Sequence, residues 1–199
     1  MTQEIKIIAS ALASIVSLVA YIPYLVDMFR GKNKPHLYTW ISIFLITITV
    51  GLTQLAGGGG VGAIPTLIGA VVNGVILFYC FKFGTKDVIP TDKIFLTIAI
   101  IGAASFLILG KYPTLSLSIV TIAEVASFIP TFRKTRNEPY SESLTSYYLL
   151  VLKLSLILVA LEKYNLLTAT YSILWILIFA ISLITTYRWR SKIMRTKSI

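Results

Sequence analysis

Of 199 residues, 56% are hydrophobic and 13% are charged, and the formal net charge is +10. Soluble chains carry about 25% charged residues, so a fold this apolar lacks the polar surface to face water, whereas lipid accepts an apolar exterior provided the backbone hydrogen bonds close internally. No separate soluble domain fits, and the positive charge, which in a soluble protein would suggest nucleic acid, is read as topological because it sits at the ends of apolar runs.

A span needs roughly 20 apolar residues to cross a hydrocarbon core of about 30 Å. Seven such segments are predicted, at 5–29, 38–56, 62–84, 93–110, 114–132, 144–162 and 166–187, followed by a basic tail at 188–199. The expected fold is therefore an all-α membrane protein, a single domain over 1–199. In the first segment the apolar run 7–26 exceeds the roughly 7–15 residues of a signal-peptide core. It ends in Asp27-Met28-Phe29-Arg30 with no small-x-small cleavage site, so it is read as a span. Its Ser10, Ser14, Ser17 and Tyr24 share one helical face. Glycines 57–60 join the second and third segments and are expected to form a flexible turn; no lysine follows them to make a phosphate loop. The third segment holds the single cysteine, Cys80, which forms no internal disulfide or metal cluster. It also holds Asn73, and an Ala70/Gly74 pair suited to close helix packing. The fifth presents Ser118, Thr121, Glu124, Phe128 and Thr131 on one face, the sixth carries Lys153, and the seventh carries Trp175. Trp40 and Tyr147, at the starts of the second and sixth, are expected as interfacial anchors. His36, the one histidine, is expected to be solvated in a loop without a ligand set.

Lysine and arginine give an orientation. The loops after the first, third and fifth segments and the tail carry 14 of them, against 3 on the other side (Lys6, Lys111 and Lys163), with Lys153 inside a span. Positive loops stay cytoplasmic. The chain is thus expected in the cell membrane as a multi-pass protein, amino terminus outside and carboxy terminus cytoplasmic.

Compared with itself at an offset of 107, the chain repeats. Tyr21-Ile22-Pro23 falls on Phe128-Ile129-Pro130, Thr39-Trp40 on Ser146-Tyr147, Ser14 on Thr121 and Ser17 on Glu124, and a basic loop follows each proline. Two three-helix units, 5–84 and 114–187, with 93–110 as a linker helix, give a 3+1+3 parallel pseudo-repeat about an axis along the membrane normal. This layout, with the paired prolines and basic loops, resembles the PQ-loop superfamily, which includes the SWEET sugar transporters, lysosomal amino-acid exporters and KDEL receptors. The glutamine that names the family is Tyr24 after Pro23 and Thr131 after Pro130. The resemblance implies that Asn73 faces the solute; Ala180 stands where a symmetric asparagine would be.

Ionisable residues at mid-bilayer cost about 2.5–3.5 kcal/mol each and mark functional sites by default. Glu124 and Lys153 either line a central cavity, as a proton or cation site and an anion site, or form a structural ion pair. The expected solute- or proton-binding residues are Glu124, Lys153, Asn73, Ser17 and Trp175, the last as a stacking surface or as a packing residue. Pro23 and Pro130 weaken their helices and are expected hinges. The expected function is a small-solute transporter for a sugar, amino acid or similar metabolite working by alternating access. The alternative is a seven-helix receptor or cargo-binding protein without transport. An enzyme is not expected, because HExxH, Gly-x-Ser-x-Gly and an Asp pair in the spans are all missing. Nor is a cofactor, metal or nucleic-acid partner expected; the partners are the solute and the bilayer, and a homo-oligomer is compatible with the layout.

Overall fold

A computed structural model describes residues 2–32, 35–85, 90–108, 112–137, 139–140 and 144–197. Within them the chain forms α1 (Gln3–Phe29), α2 (Leu37–Ala56), a 3₁₀ turn (Gly60–Ala63), α3 (Ile64–Phe83), α4 (Pro90–Ile108), α5 (Pro113–Asn137), α6 (Leu144–Ala160) and α7 (Leu166–Lys197). Four of these, Gln3–Phe29, Leu37–Ala56, Gly60–Phe83 and Leu166–Ser191, are long and apolar enough to cross a membrane, and three shorter apolar stretches lie in α4, α5 and α6. Large apolar side chains point outward all round, among them Phe78, Leu107 and Ile108, each about four-fifths exposed. Outward apolar surface of this extent is that of a helical membrane protein.

Local chemistry sets the helix ends. His36 is not simply solvated: it caps α2, its Nδ1 accepting from the Thr39 N–H at 3.4 Å, as an N-cap acceptor should. Beside it Leu37 N donates to Thr85 O at 2.9 Å and Thr85 N to Pro35 O at 3.0 Å, tying the start of α2 to the end of α3. Two helices outrun their apolar segments. α5 continues to Asn137 and α7 to Lys197, so the start of the expected tail is helical. At about 1.5 Å per residue α7 is about 48 Å long against a core of about 30 Å. Its extension packs locally: Trp189 meets Phe132 at 5.3 Å, and Arg190 donates to Pro139 O at 2.8 Å and lies over Tyr140.

α1–α3 are packed together as a first half and α5–α7 as a second, and the two halves are packed extensively on each other. α3 packs against both α1 and α2, and α7 against both α5 and α6. Across the divide α1 lies along α6, while α2 touches α5 and α7; α4 fills the side against α2 and α5. One apolar core belongs to the first half and joins Met28, Val72, Ile76 and Cys80 to Tyr21, Tyr24, Leu37 and Trp40. A second lies almost wholly in the other half, around Tyr147, Leu154, Trp175, Phe179 and Leu183, with Phe128 and Leu144 against it. Tyr147 is therefore a core residue, stacked on Phe179 at 5.6 Å, rather than an interfacial anchor. Trp40 is partly buried and donates from Nε1 to the Tyr24 hydroxyl at 3.0 Å. A third core binds α4 to α2 and α5 through Ile46, Val50, Ala99, Leu117 and Val120.

The bundle has a glycine end and a basic end. The glycine end carries the α2–α3 and α6–α7 connections and the start of α1. The basic end carries the α1–α2 and α3–α4 connections and the close of α7.

Candidate functional site

The central polar cluster is assembled from both halves. On the first, Tyr21 donates its hydroxyl to Asn73 Oδ1 at 2.8 Å, and Asn73 Nδ2 donates to Thr47 Oγ1 at 3.0 Å. One turn from Asn73 on the same face of α3 is Gly69. A methyl group added there would lie 3.7 Å from Lys153 Nζ, 3.9 Å from Ser17 Oγ and 3.9 Å from the Thr47 methyl. The α6 ammonium thus reaches the first half beside Ser17, one turn above Tyr21. On the second half the Glu124 carboxylate receives the Tyr171 hydroxyl and faces the Trp175 indole, with Lys153 and Tyr21 in electrostatic reach.

Ser17 Oγ and Trp175 Nε1 are among the buried polar atoms of this cluster with no hydrogen-bond partner among the described residues. Both side chains are over nine-tenths buried, at 1% and 6% exposure. Trp175 Nε1 is close enough to Glu124 for its dipole to be felt without closing a bond of good geometry. A buried polar group left unsatisfied costs about 1–3 kcal/mol, and native proteins keep few of them outside functional sites.

The five residues expected to bind solute or proton therefore converge: Ser17 from α1, Asn73 from α3, Glu124 from α5, Lys153 from α6 and Trp175 from α7. Trp175 is buried and packed within the second core, not lipid-facing. Phe128 holds it edge-on at 5.6 Å and Phe179 flanks it at 5.1 Å. Pro23 lies inside an unbroken α1. Pro130 lies in α5, but its side chain and that of Thr131 fall outside the described residues.

Three residues that the sequence reading did not select belong to the cluster: Tyr21, Thr47 and Tyr171. Tyr21 had been noticed only as the aromatic before Pro23, and Tyr171 lies one turn before Trp175 on the same face of α7. The polar stripe expected on α5 splits. Glu124 faces the centre, whereas Ser118 is exposed and, with Thr114 and Thr121, lines a separate crevice of about 260 Å³ against Leu166 and Thr170 of α7.

The glycine end is closed by a second polar assembly. Glu162, between α6 and α7, donates its N–H to Gly59 O at 3.1 Å, and its Oε1 accepts from Val61 N and Gln3 Nε2, each at 3.3 Å. Lys6 Nζ donates to Glu162 O at 3.4 Å, Asn165 Nδ2 to Gly57 O at 2.7 Å, and Gln54 Nε2 to Thr168 O at 3.3 Å. Hydrogen bonds to Gln3 and the Val61 N–H hold the Glu162 carboxyl below the usual glutamate range, with Lys6 assisting. Glycines 57–60 are thus no flexible turn; they are packed and bonded against the other half.

No family model, curated protein or solved structure matches the chain.

Proposed function

We propose that this protein is a small-solute transporter, for a sugar, an amino acid or a similar metabolite, working by alternating access between two three-helix units. In this reading all seven helices cross the bilayer. α1–α3 and α5–α7 are parallel copies joined by α4, and the basic end faces the cytoplasm with the amino terminus outside.

One observation carries the reading: two aromatic cores of matching register flank a polar cluster that both halves build. Tyr21, Leu37, Trp40, Val72 and Ile76 of the first core stand 107 positions before Phe128, Leu144, Tyr147, Phe179 and Leu183 of the second. α2 and α6 begin at the paired leucines. Helix packing follows the same relation, with the third helix of each unit against the other two, and α1 on α6 as α5 is on α2. The positions related as 17 and 124 hold Ser17 and Glu124, both in the cluster. Two separately cored halves with a polar seam suit rigid-body rocking about a fixed site.

Purified protein in liposomes is expected to move at least one solute from a panel of sugars and amino acids. Glu124→Gln or Asn73→Ala is expected to cut the flux about tenfold or more, the equivalent of about 1.4 kcal/mol. A panel with neither flux nor binding overturns the proposal. Peptide binding without flux turns it to the cargo-receptor alternative.

A further inference from the structure

We infer that Glu162 is the latch of a gate at the glycine end, with residues 57–62 as its keeper, and that this latch controls access to the central cluster from that side. The inference rests on the transport reading for its purpose, but its geometry and its test stand apart from any solute.

Glu162 touches three elements at once. Its carboxylate takes hydrogen bonds from Gln3 of α1 and from the backbone of the 3₁₀ turn. Its own N–H goes to Gly59, and its carbonyl to Lys6. The keeper is shaped to it. Gly58 and Gly60 have φ of +79° and +56°, a conformation that side chains resist. A Cβ on Gly60 would run into the Glu162 carboxyl. One on Gly62 would lie 2.8 Å from the Leu161 backbone, and one on Gly57 2.8 Å from Leu167 Cβ. A side chain at Gly57 or Gly62 pushes the halves apart, and one at Gly60 displaces the Glu162 carboxyl from its bonds. A linker needs no such fit.

Beneath the latch the seam is tight. Ala13, Ala63, Ala160 and Leu161 are fully buried there, and Ser10 ties α1 to the keeper through Val61 O at 2.6 Å. Leu161 seats against Gly59 and Gly62, and Ala13 of α1 joins the second aromatic core, so opening draws one leucine off the glycines and one alanine off that core. The latch bonds themselves are exposed at Glu162, so water replaces them when they break. A gate needs this combination: closed by specific bonds that water can replace, and sealed beneath them by a tight, dry layer. Ser17, at the floor of this layer, is the first cluster residue that an opened gate would expose.

The test uses Ser17→Cys as a reporter in full-length protein with Cys80→Ala, reconstituted in liposomes. A membrane-impermeant maleimide is applied from the glycine-end side. With the latch intact, labelling is expected to be slow. Glu162→Ala and Gly60→Val are each expected to raise the rate about tenfold or more, with Glu162→Gln between, because its amide keeps one acceptor. Unchanged rates in variants that remain monodisperse and helical overturn the inference. Should those variants not fold, Gln3→Cys with Glu162→Cys, joined by a short bismaleimide, tests the same point in the opposite sense. The joined protein should protect Ser17→Cys from labelling and stop flux while still binding solute. Wild-type flux in the joined protein sinks the gate and leaves transport standing. Labelling that obeys the latch in a protein that moves no solute sinks transport and leaves the gate.

Discussion

Tyr21 and Asn73 are joined by a 2.8 Å hydrogen bond between α1 and α3, and the same amide reaches α2 through Thr47 at 3.0 Å. One side chain thus pins all three helices of the first half at one level. Asn73→Ala removes both bonds and strands the Tyr21 hydroxyl, while Thr47 keeps its bond to Ile43 O at 2.7 Å. It should cost about 1–3 kcal/mol, whereas Tyr21→Phe, which removes one donor, should cost about 1 kcal/mol. Thermal unfolding in detergent measures both. If Asn73 also contacts solute, its variant loses flux out of proportion to the stability loss, and Tyr21→Phe does not.

Lys153 and Glu124 predict a non-additive pair. Removing one charge leaves the other uncompensated in a low-dielectric interior, at a cost of about 3–5 kcal/mol. Lys153→Met and Glu124→Gln alone should therefore each destabilise more than the two combined, and a double-mutant cycle reads the coupling. Additive effects would mean that each charge is satisfied by other groups: Glu124 by Tyr171 within its own half, and Lys153 across the seam beside Ser17 and Gly69.

Much of the fold was legible because lipid imposes one rule on every residue of a span. Apolar runs marked the helices to within a few residues at most ends. α5 and α7 outran their runs because the backbone bonds of a helix do not stop where apolar side chains do. Positions in the site were legible where burial in lipid is costly, as at Glu124, Lys153 and Asn73. Tyr21 and Tyr171 were not, because an aromatic in an apolar helix gives no sign of where its hydroxyl goes. Glycines 57–60 were read as a flexible turn because sequence shows freedom of the backbone and not what the missing side chains make room for. Only the opposing α6–α7 connection, Leu161 to Thr168, and Gln54 of α2 give them a reason.

Acid should weaken the closure of the glycine end. Hydrogen bonds from Gln3 and the Val61 N–H, with Lys6 nearby, hold the Glu162 carboxyl below its ordinary value of 4.5. A depressed carboxyl contributes stability that is complete above the ordinary value and is lost as pH falls through the lowered one. The charged groups facing it are Lys6 of α1 and Lys163 of the same connection, whose stem lies against Gly58; the glycine segment brings none. The unfolding temperature of the wild type should therefore exceed that of Glu162→Gln at neutral pH, and the gap should close below about pH 4.5. A gap that persists into strong acid would assign the effect to shape and not to charge.

Trp175 tests whether the second core positions the site. Its ring is held by Phe128 at 5.6 Å and Phe179 at 5.1 Å, while Tyr171 stands 6.4 Å away on the same face. Phe179→Leu keeps an apolar side chain but removes one flanking ring and the stack on Tyr147. The aromatic contacts are worth about 0.5–1.5 kcal/mol each, so a stability loss of about 1–2 kcal/mol is expected. The more telling readout is optical. The chain has three tryptophans, so with Trp40→Phe and Trp189→Phe the emission reports Trp175 alone. Phe179→Leu should shift that emission to the red as the indole loosens toward the polar cluster, and it should weaken solute binding without altering Glu124 or Lys153. If the emission stays fixed, Tyr171 and the α7 backbone hold the indole by themselves, and the register shared by the two aromatic cores serves packing alone.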